Sequence, residues 1–570
     1  MNDTLNALDM AESLLYALPT RARIAGIPKA ADRHVYKIRV DRSMPFEFIA
    51  NLTPAFCGLW KSDVRFDYSD YDAALSGIGG NHQADAYIIW LDWRIYSQSM
   101  TAQEAVDWLN TRITQLRGAT DKPIWVNNWP QLRKDGDLLF GHRVSGRDWF
   151  LKLNGCLAEL MERSAGCELI DLDRLAQEEA ESFYDERNED MSHFPLSDRA
   201  TITVARHLGV HLFPAAFAPR LKAIALDMDD TLYSGVLGED GIDGVVLSEG
   251  HCRLQKLLLR LKQSGMLLTV CSRNEERDAR ALFDGRDDFP LKWNDFAAVY
   301  ANWQPKSENL SRLAQQLNID PSAFLFLDDN SAELLKMAAA LPDVRLFRAS
   351  RSGMETMNGL SHYPGLYQFR PDDEASSRTA DIQANQARER TRQAASSFED
   401  YLESLKMVVS LYENEPSHAG RLYDLSRKTN QFNLAMRRMT EIEAKEAMDK
   451  DRYLTVTVRL SDLLADSGII GVFVCRLEGE QASLIETLFS CRALGREIET
   501  VAFAKVLKKL IAKGVKRLSI DRIEGPRNGP ALDWLKRYVP DSGGSYLLRT
   551  LHARVNKACR NHPAEIEVIP

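Results

Sequence analysis

Asp227 and Asp229 stand two positions apart, with Asp230 and Thr231 beside them, where the apolar run Ala223-Ile224-Ala225-Leu226 stops. Such a run reads as a buried strand, and open α/β sheets bind their ligands beyond the carboxyl ends of their strands. Unpaired buried charge is very costly, so acids clustered at that place call for a cation or a reaction. Two neighbouring carboxylates can divide the work, one attacking and the other moving protons. A calcium loop is the bland alternative. It wants acids at its first, third and usually fifth positions, Gly at the sixth and Glu at the twelfth. Here Thr231, Leu232 and Gly238 occupy the last three of those positions, and a strand rather than a helix precedes them.

Residues that suit the same chemistry follow in order. A second apolar run, M-L-L-T-V-C-S, ends at Ser272 and is followed by Arg273 and Asn274. Lys306 stands near the start of an expected helix, and a third run, F-L-F-L-D-D-N, ends at Asp328 and Asp329. A serine after a strand or a surface lysine means little alone, but the ordered set points to phosphoryl transfer. Asp227 is the candidate nucleophile and Asp229 the candidate acid and base. Ser272 and Lys306 would orient and neutralise phosphoryl oxygens. Thr231, Arg273 and Asn274 are candidate substrate contacts. Asp227 and Asp328, with the main-chain carbonyl of Asp229, make an oxygen-rich set suited to Mg²⁺. Asp329 is either a further acid beside the metal or a structural cap. The intervals between Asp227, Ser272 and Lys306 leave no room for a cap domain, so the site is expected to be open.

Two other constellations stand apart. Near the C-terminus, S-L-I-E-T-L-F-S reads as a strand, Cys491 follows, and Arg492 and Arg496 flank the start of an amphipathic helix. A helix N-terminus and nearby cations lower a thiol pKa, so Cys491 is either a buried structural cysteine or an acyl-holding thiolate. Asn430 and Asn433, in K-T-N-Q-F-N-L, are candidate lining residues there; a polar turn is the plain alternative. In the first region, Asp190 and His193 stand three positions apart, and Thr53, followed by Pro54, is the hydroxyl at the end of an expected strand.

The elements that position these residues can be laid out more coarsely. A chain of 570 residues is expected to form several domains. The divisions expected are 1–217, an α/β domain; 218–365, a parallel-sheet domain carrying the acids; 366–400, a polar linking helix; and 401–570, an α+β domain. Strands are expected at F-E-F-I-A-N-L-T, A-D-A-Y-I-I-W-L-D-W, K-P-I-W-V-N-N-W and C-E-L-I-D-L-D in the first region. The second is expected to read β-α-β-α-β-α-β, ending at V-R-L-F-R-A. A net charge of −9 without a basic run speaks against a nucleic-acid partner. No stretch approaches the ~18 apolar residues of a membrane span. Eight scattered cysteines and no visible signal peptide fit a cytoplasmic protein.

The D-M-D-D-T block resembles the nucleophile motif of haloacid-dehalogenase-type phosphatases. The D-x-x-H block at Asp190 resembles SGNH-type hydrolases, here without their serine and so expected to be non-catalytic. The segment from Arg492 to Arg496 and the later N-G-P-A-L-D-W resemble GNAT acyltransferases, although Glu497 replaces a small residue and disfavours ordinary acetyl-CoA binding. Together with L-D-M-D-D-T-L-Y-S-G-V-L-G-E-D-G, C-S-R-N, P-K-S-E-N-L, K-T-N-Q-F-N-L and S-C-R-A-L-G-R-E, the chain resembles the FkbH-like proteins of that superfamily. It departs where Tyr233-Ser234 replace the usual Trp-Gly. The resemblance implies a Mg²⁺-dependent enzyme that takes a three-carbon unit from 1,3-bisphosphoglycerate, removes its phosphate and loads glyceryl onto an acyl carrier protein. Docking of that acidic carrier is expected at Arg437-Arg438 and Lys508-Lys509. A stand-alone phosphatase and a non-catalytic assembly protein are the rival classes.

Overall fold

The computed structural model describes every residue except 1, 29–32, 72–82, 131–145, 180–182, 371–383, 385–386, 389–390, 393, 430, 491–493, 526, 540–543 and 570. The chain divides into two compact units, Met1–Pro371 and Asp372–Pro570. The architecture is mixed α/β.

The first unit holds two five-stranded parallel sheets. The first sheet comprises β1 (His34–Arg42), β2 (Ser62–Tyr68), β3 (Ala86–Trp90), β4 (Ile124–Asn127) and β5 (Cys167–Ile170), in the order β2-β1-β3-β4-β5. β3 and β4 are buried along their whole length. A strand covered on both faces reads as an unbroken apolar run, which is why these two were legible. F-E-F-I-A-N-L-T is not a strand. It forms two short helices, Glu47–Ala50 and Thr53–Cys57. Phe46, Ile49, Ala50, Leu52, Thr53, Phe56 and Cys57 are the buried positions there, and the steps of three and four from Phe46 through Ile49 and Thr53 to Phe56 belong to helical turns. Two strands were not expected: β1, whose Tyr36, Ile38 and Val40 alternate with charged residues, and β2, where Arg65 and Asp67 interrupt the apolar positions.

The second sheet comprises β6 (Ala223–Leu226), β7 (Leu267–Ser272), β8 (Phe296–Ala301), β9 (Phe324–Asp328) and β10 (Arg345–Arg348), in the order β10-β9-β6-β7-β8. It has one strand more than expected: β8 was passed over because three of its six residues are alanine. The chain runs outward from β6 through β7 to β8, then crosses to β9 and β10 on the other side. β6 and β9 therefore flank the topological switch point, where such sheets open a crevice at their carboxyl edge.

The second unit carries β11 (Val408–Glu413), β12 (Tyr453–Ser461), β13 (Asp466–Glu478), β14 (Gln481–Phe489), β15 (Arg517–Ile520), β16 (Ser545–Leu547) and β17 (Glu565–Ile569), in the order β16-β15-β14-β13-β12-β11-β17. β11 to β14 are antiparallel neighbours, whereas β14 and β15 are parallel. The helix Ile498–Ala512 packs Phe503 against Phe473 of β13, with ring centroids 5.6 Å apart. No described helix is long and apolar enough to cross a membrane.

Candidate active site

The second sheet brings the expected residues to its carboxyl edge. Asp227 follows β6, Ser272 ends β7, Asp328 ends β9, and Lys306 opens the helix Lys306–Leu317 after β8. All four are buried. Lys306 Nζ lies 2.8 Å from Asp227 Oδ1 and donates to Asp328 Oδ2 at 2.7 Å. Ser272 Oγ donates to Asp227 Oδ1 at 2.7 Å. The other oxygen of Asp328 accepts from the main-chain N–H of Asn330 at 2.9 Å.

Asp229 is held by three donors. Tyr233 Oη and the N–H of Leu237 reach its Oδ1 at 2.6 and 3.0 Å, and Asn274 Nδ2 reaches its Oδ2 at 3.0 Å. Asn274 also donates to Ser272 Oγ at 3.1 Å, so the amide links the two halves of the site. The turn that aims Asp229 is tightly built. Asp230 has φ 51° and accepts the N–H of Gly235 at 2.9 Å. Gly235 has φ 106°, and a Cβ there would lie 2.7 Å from Asp240 Oδ2, so only glycine fits. Thr231 is buried, and its Oγ1 has no hydrogen-bond partner among the described residues. Arg273 turns to the rim, where it pairs with Glu333 at 3.1 Å.

The electrostatics explain what the site is ready to hold. Asp227, Asp328 and Asp329 offer carboxylate oxygens that all lie within 4.8 Å of one another. Burial, and then the charge of Asp227, push Asp328 up to about 7 and Asp329 up to about 6. Burial works against the charge on Lys306, but Asp227 and Asp328 outweigh it and raise its pKa. One ammonium thus faces three carboxylates, and the surplus negative charge in an all-oxygen donor set fits a hard divalent cation. The carboxylates that gather are Asp227, Asp328 and Asp329. The side chain of Asp229 is engaged by its three donors. Asp329 lies just beyond the end of β9, where strand alternation no longer says which way a side chain points.

Elsewhere the outcome differs. Cys491, Arg492 and Asn430 lie outside the described residues. Asn433 is fully buried: its Oδ1 accepts the N–H of Met436 at 2.6 Å and its Nδ2 faces the carbonyl of Thr429 at 3.4 Å. Its segment bridges to β14 at Leu488. Asn433 therefore fixes main chain rather than lining an open pocket. Arg496 is also buried and donates to Asp462 at 2.8 Å, an acid it shares with Arg388. A group that sequence reasoning missed is Glu486 on β14, which burial pushes up to about 8; its buried Oε2 makes no hydrogen bond among the described residues. The basic docking clusters are also partly engaged. Arg438 donates to the carbonyls of Ser426 and Thr429, and Lys509 pairs with Glu413 at 2.5 Å.

In the first sheet, Thr53 is fully buried inside a helix and donates to the carbonyl of Ile49 at 2.9 Å. Asp190 and His193 are exposed. The threonine hydroxyl is engaged by the carbonyl of the preceding helix, so among the described residues it is not joined to Asp190 or His193 as an activated nucleophile.

No family model matches the chain, and no curated protein matches it. Among solved structures, the chain is similar to the N-terminal part of the protein BF1531 from Bacteroides fragilis, which contains a phosphatase domain and was crystallised with Mg. The identity is 19%, over 59% of this chain and 94% of that one, with a TM-score of 0.49. It is also similar to the ribosomal-protein-S18-alanine N-acetyltransferase from Escherichia coli, at 13% identity over 24% of this chain and 88% of that one, TM-score 0.19. A third is the IAA acetyltransferase from Bacillus cereus ATCC 14579, at 14% identity over 20% of this chain and 64% of that one, TM-score 0.14. Similarities this low say nothing about activity, which rests on the side chains described above.

Proposed function

We propose that this chain is a Mg²⁺-dependent phosphatase of the haloacid-dehalogenase type coupled to an acyl-transfer module. The observation that carries the reading is the buried cluster of Asp227, Asp328 and Lys306, with Ser272 on the same oxygen of Asp227. Asp227, Asp328 and Asp329 would hold the cation, which when bound offsets the repulsion between an anionic nucleophile and a phosphate. Asp227 attacks phosphorus and forms an aspartyl-phosphate as the bond to the leaving oxygen breaks. Asp229 gives that oxygen a proton, then takes one from the water that attacks phosphorus and frees Asp227. Lys306 and Ser272 face the phosphoryl oxygens and hold them in line.

The finer reading is glyceryl transfer: a three-carbon unit from 1,3-bisphosphoglycerate, dephosphorylated and loaded onto the phosphopantetheine thiol of an acyl carrier protein, with Cys491 as the acyl-holding thiol. Its support is the set of motifs shared with FkbH-like proteins, together with the short intervals that leave the site without a cap domain. Incubation with 1,3-bisphosphoglycerate, Mg²⁺ and a carrier protein, read by mass spectrometry, tests it. A glyceryl mass on the carrier arm with release of phosphate is expected. Phosphate release with an unmodified carrier would instead support the second reading, a stand-alone phosphatase on a small phosphoester. That reading draws on Asn433 and Arg496, which serve the scaffold of the second unit.

A further inference from the structure

Trp303 is 69% exposed, although tryptophan is normally among the most covered side chains. It is exposed yet held. Its Nε1–H donates to Glu275 Oε1 at 2.8 Å. The preceding residue, Asn302, donates its N–H to the carbonyl of Ser272 at 3.1 Å. The Asn302 side chain accepts the N–H of Gln304 at 3.0 Å and the amide of Asn309 at 2.8 Å. The loop between β8 and Lys306 is thus braced at both ends.

Both anchors belong to the catalytic edge. Ser272 bonds to Asp227, and Glu275 directly follows Asn274, which bonds to Asp229. Because Glu275 engages the indole N–H, what remains for a ligand is the apolar face of the ring. A fixed aromatic face beside a phosphoryl site suits an apolar or planar group and gives nothing to a hydrogen-bonding one.

We infer that Trp303 is a substrate-contact residue on which the part of the substrate beyond the phosphate packs, and that Glu275 is its positioning residue. The inference rests on the phosphatase reading and adds a substrate class. Preferred phosphoesters carry an apolar or planar segment within reach of the indole; a phosphoglyceryl unit meets this only when its acyl end is attached to such a group.

Phenylphosphonate and methylphosphonate share a head group, cannot be hydrolysed, and differ only in the part that would meet the indole. Calorimetric titration with Mg²⁺ present should show the phenyl compound binding about five- to tenfold more tightly to the wild type, the size of one aromatic contact. Trp303→Ala should remove that preference and leave methylphosphonate binding unchanged. Trp303→Phe should keep most of it, and Glu275→Ala should lower it part-way by freeing the ring. Trp303 lies on the surface, so its variants should keep the wild-type melting temperature. A preference that survives Trp303→Ala, or that is missing in the wild type, overturns the inference. Turnover of phenyl phosphate is measured separately: a wild type that binds with preference but does not hydrolyse refutes the phosphatase reading while the contact stands.

Discussion

The first unit contains the same device twice, a five-stranded parallel sheet with polar residues at its carboxyl edge, and the two edges are built in opposite ways. At the first sheet Asp92, Asn127 and Asn128 each face a partner of suitable kind. Asp92 pairs with Arg94 at 2.7 Å, and the amide of Asn127 meets both the N–H and the carbonyl of Leu91. Asn128 donates to Asp171 at 2.6 Å and accepts the N–H of Asp173 at 3.1 Å. At the second sheet three carboxylates crowd around one ammonium. A satisfied edge contributes stability, whereas an edge with surplus charge is ready to bind. The difference lies in the balance of charge, since both sheets share strand direction and strand number.

The most severe way to test the contrast is to remove the nucleophile. Asp227→Asn keeps the shape of the side chain and should lower phosphate release by about a thousandfold or more, because the attacking oxygen anion is lost. Chelation of Mg²⁺ should give the same phenotype in the wild type. Phosphate release by the variant at the wild-type rate, in Mg²⁺, would remove Asp227 from the mechanism.

Next comes the cation that holds the crowded edge together. Lys306→Met strands Asp227 and Asp328 in a buried site, which should destabilise the first unit by about 3 kcal/mol in metal-free buffer. Saturating Mg²⁺ should restore part of that loss, since a divalent ion meets the same carboxylates. Denaturant titrations with and without Mg²⁺ measure both quantities. An equal loss in the two buffers would mean that the metal does not use this cluster.

A smaller effect follows from the raised carboxyls. Mg²⁺ needs them ionised, so protons compete with it. Asp328 is pushed up to about 7 and Asp329 to about 6. Affinity for Mg²⁺ should therefore rise with pH through this window and level off above it. Between pH 8 and pH 6 the Asp328 proton alone should weaken binding by about tenfold. Calorimetry across pH 5 to 8 reads it directly, and an affinity that stays flat would contradict the assignment.

Much of this was legible in the sequence, for a physical reason. Strands covered on both faces read as apolar runs, and acids that end such runs stand out because burial makes them costly. Asp227 and Asp328 stand out in that way, Ser272 as the hydroxyl that ends a second run and Lys306 by its place in the ordered set, and the structure brings the four together. β1 was missed because its alternate positions are charged, and the helices within 47–57 were misread because a short apolar run does not reveal its period until the buried positions are known. Polar density was a weaker guide. Asn433 and Arg496 looked like pocket residues, yet one braces main chain and the other an internal ion pair. Sequence shows that a polar group is present but not whether it faces a cavity or a carbonyl. The roles of Tyr233 and Trp303 needed coordinates, because each depends on one hydrogen bond made by a ring that composition would assign to the core or to chance exposure.

The mildest test addresses the satisfied edge. Asn128 is buried, and it joins β4 to the turn after β5 through Asp171 and the N–H of Asp173. Asn128→Ala removes both bonds. Asp171 keeps the N–H of Arg174, at 3.2 Å, so its carboxylate is not left bare. The expected cost is about 1–2 kcal/mol of stability, the usual range for a buried side-chain hydrogen bond and the partner it leaves behind. Phosphate release per folded molecule should not change, because among the described residues this edge gathers no cluster of carboxylates like that at the second sheet. The informative failure is the reverse pattern. If Asn128→Ala leaves the melting temperature alone but lowers phosphate release or carrier loading, the first sheet is a working site, and the contrast between the two edges is not one of structure against chemistry.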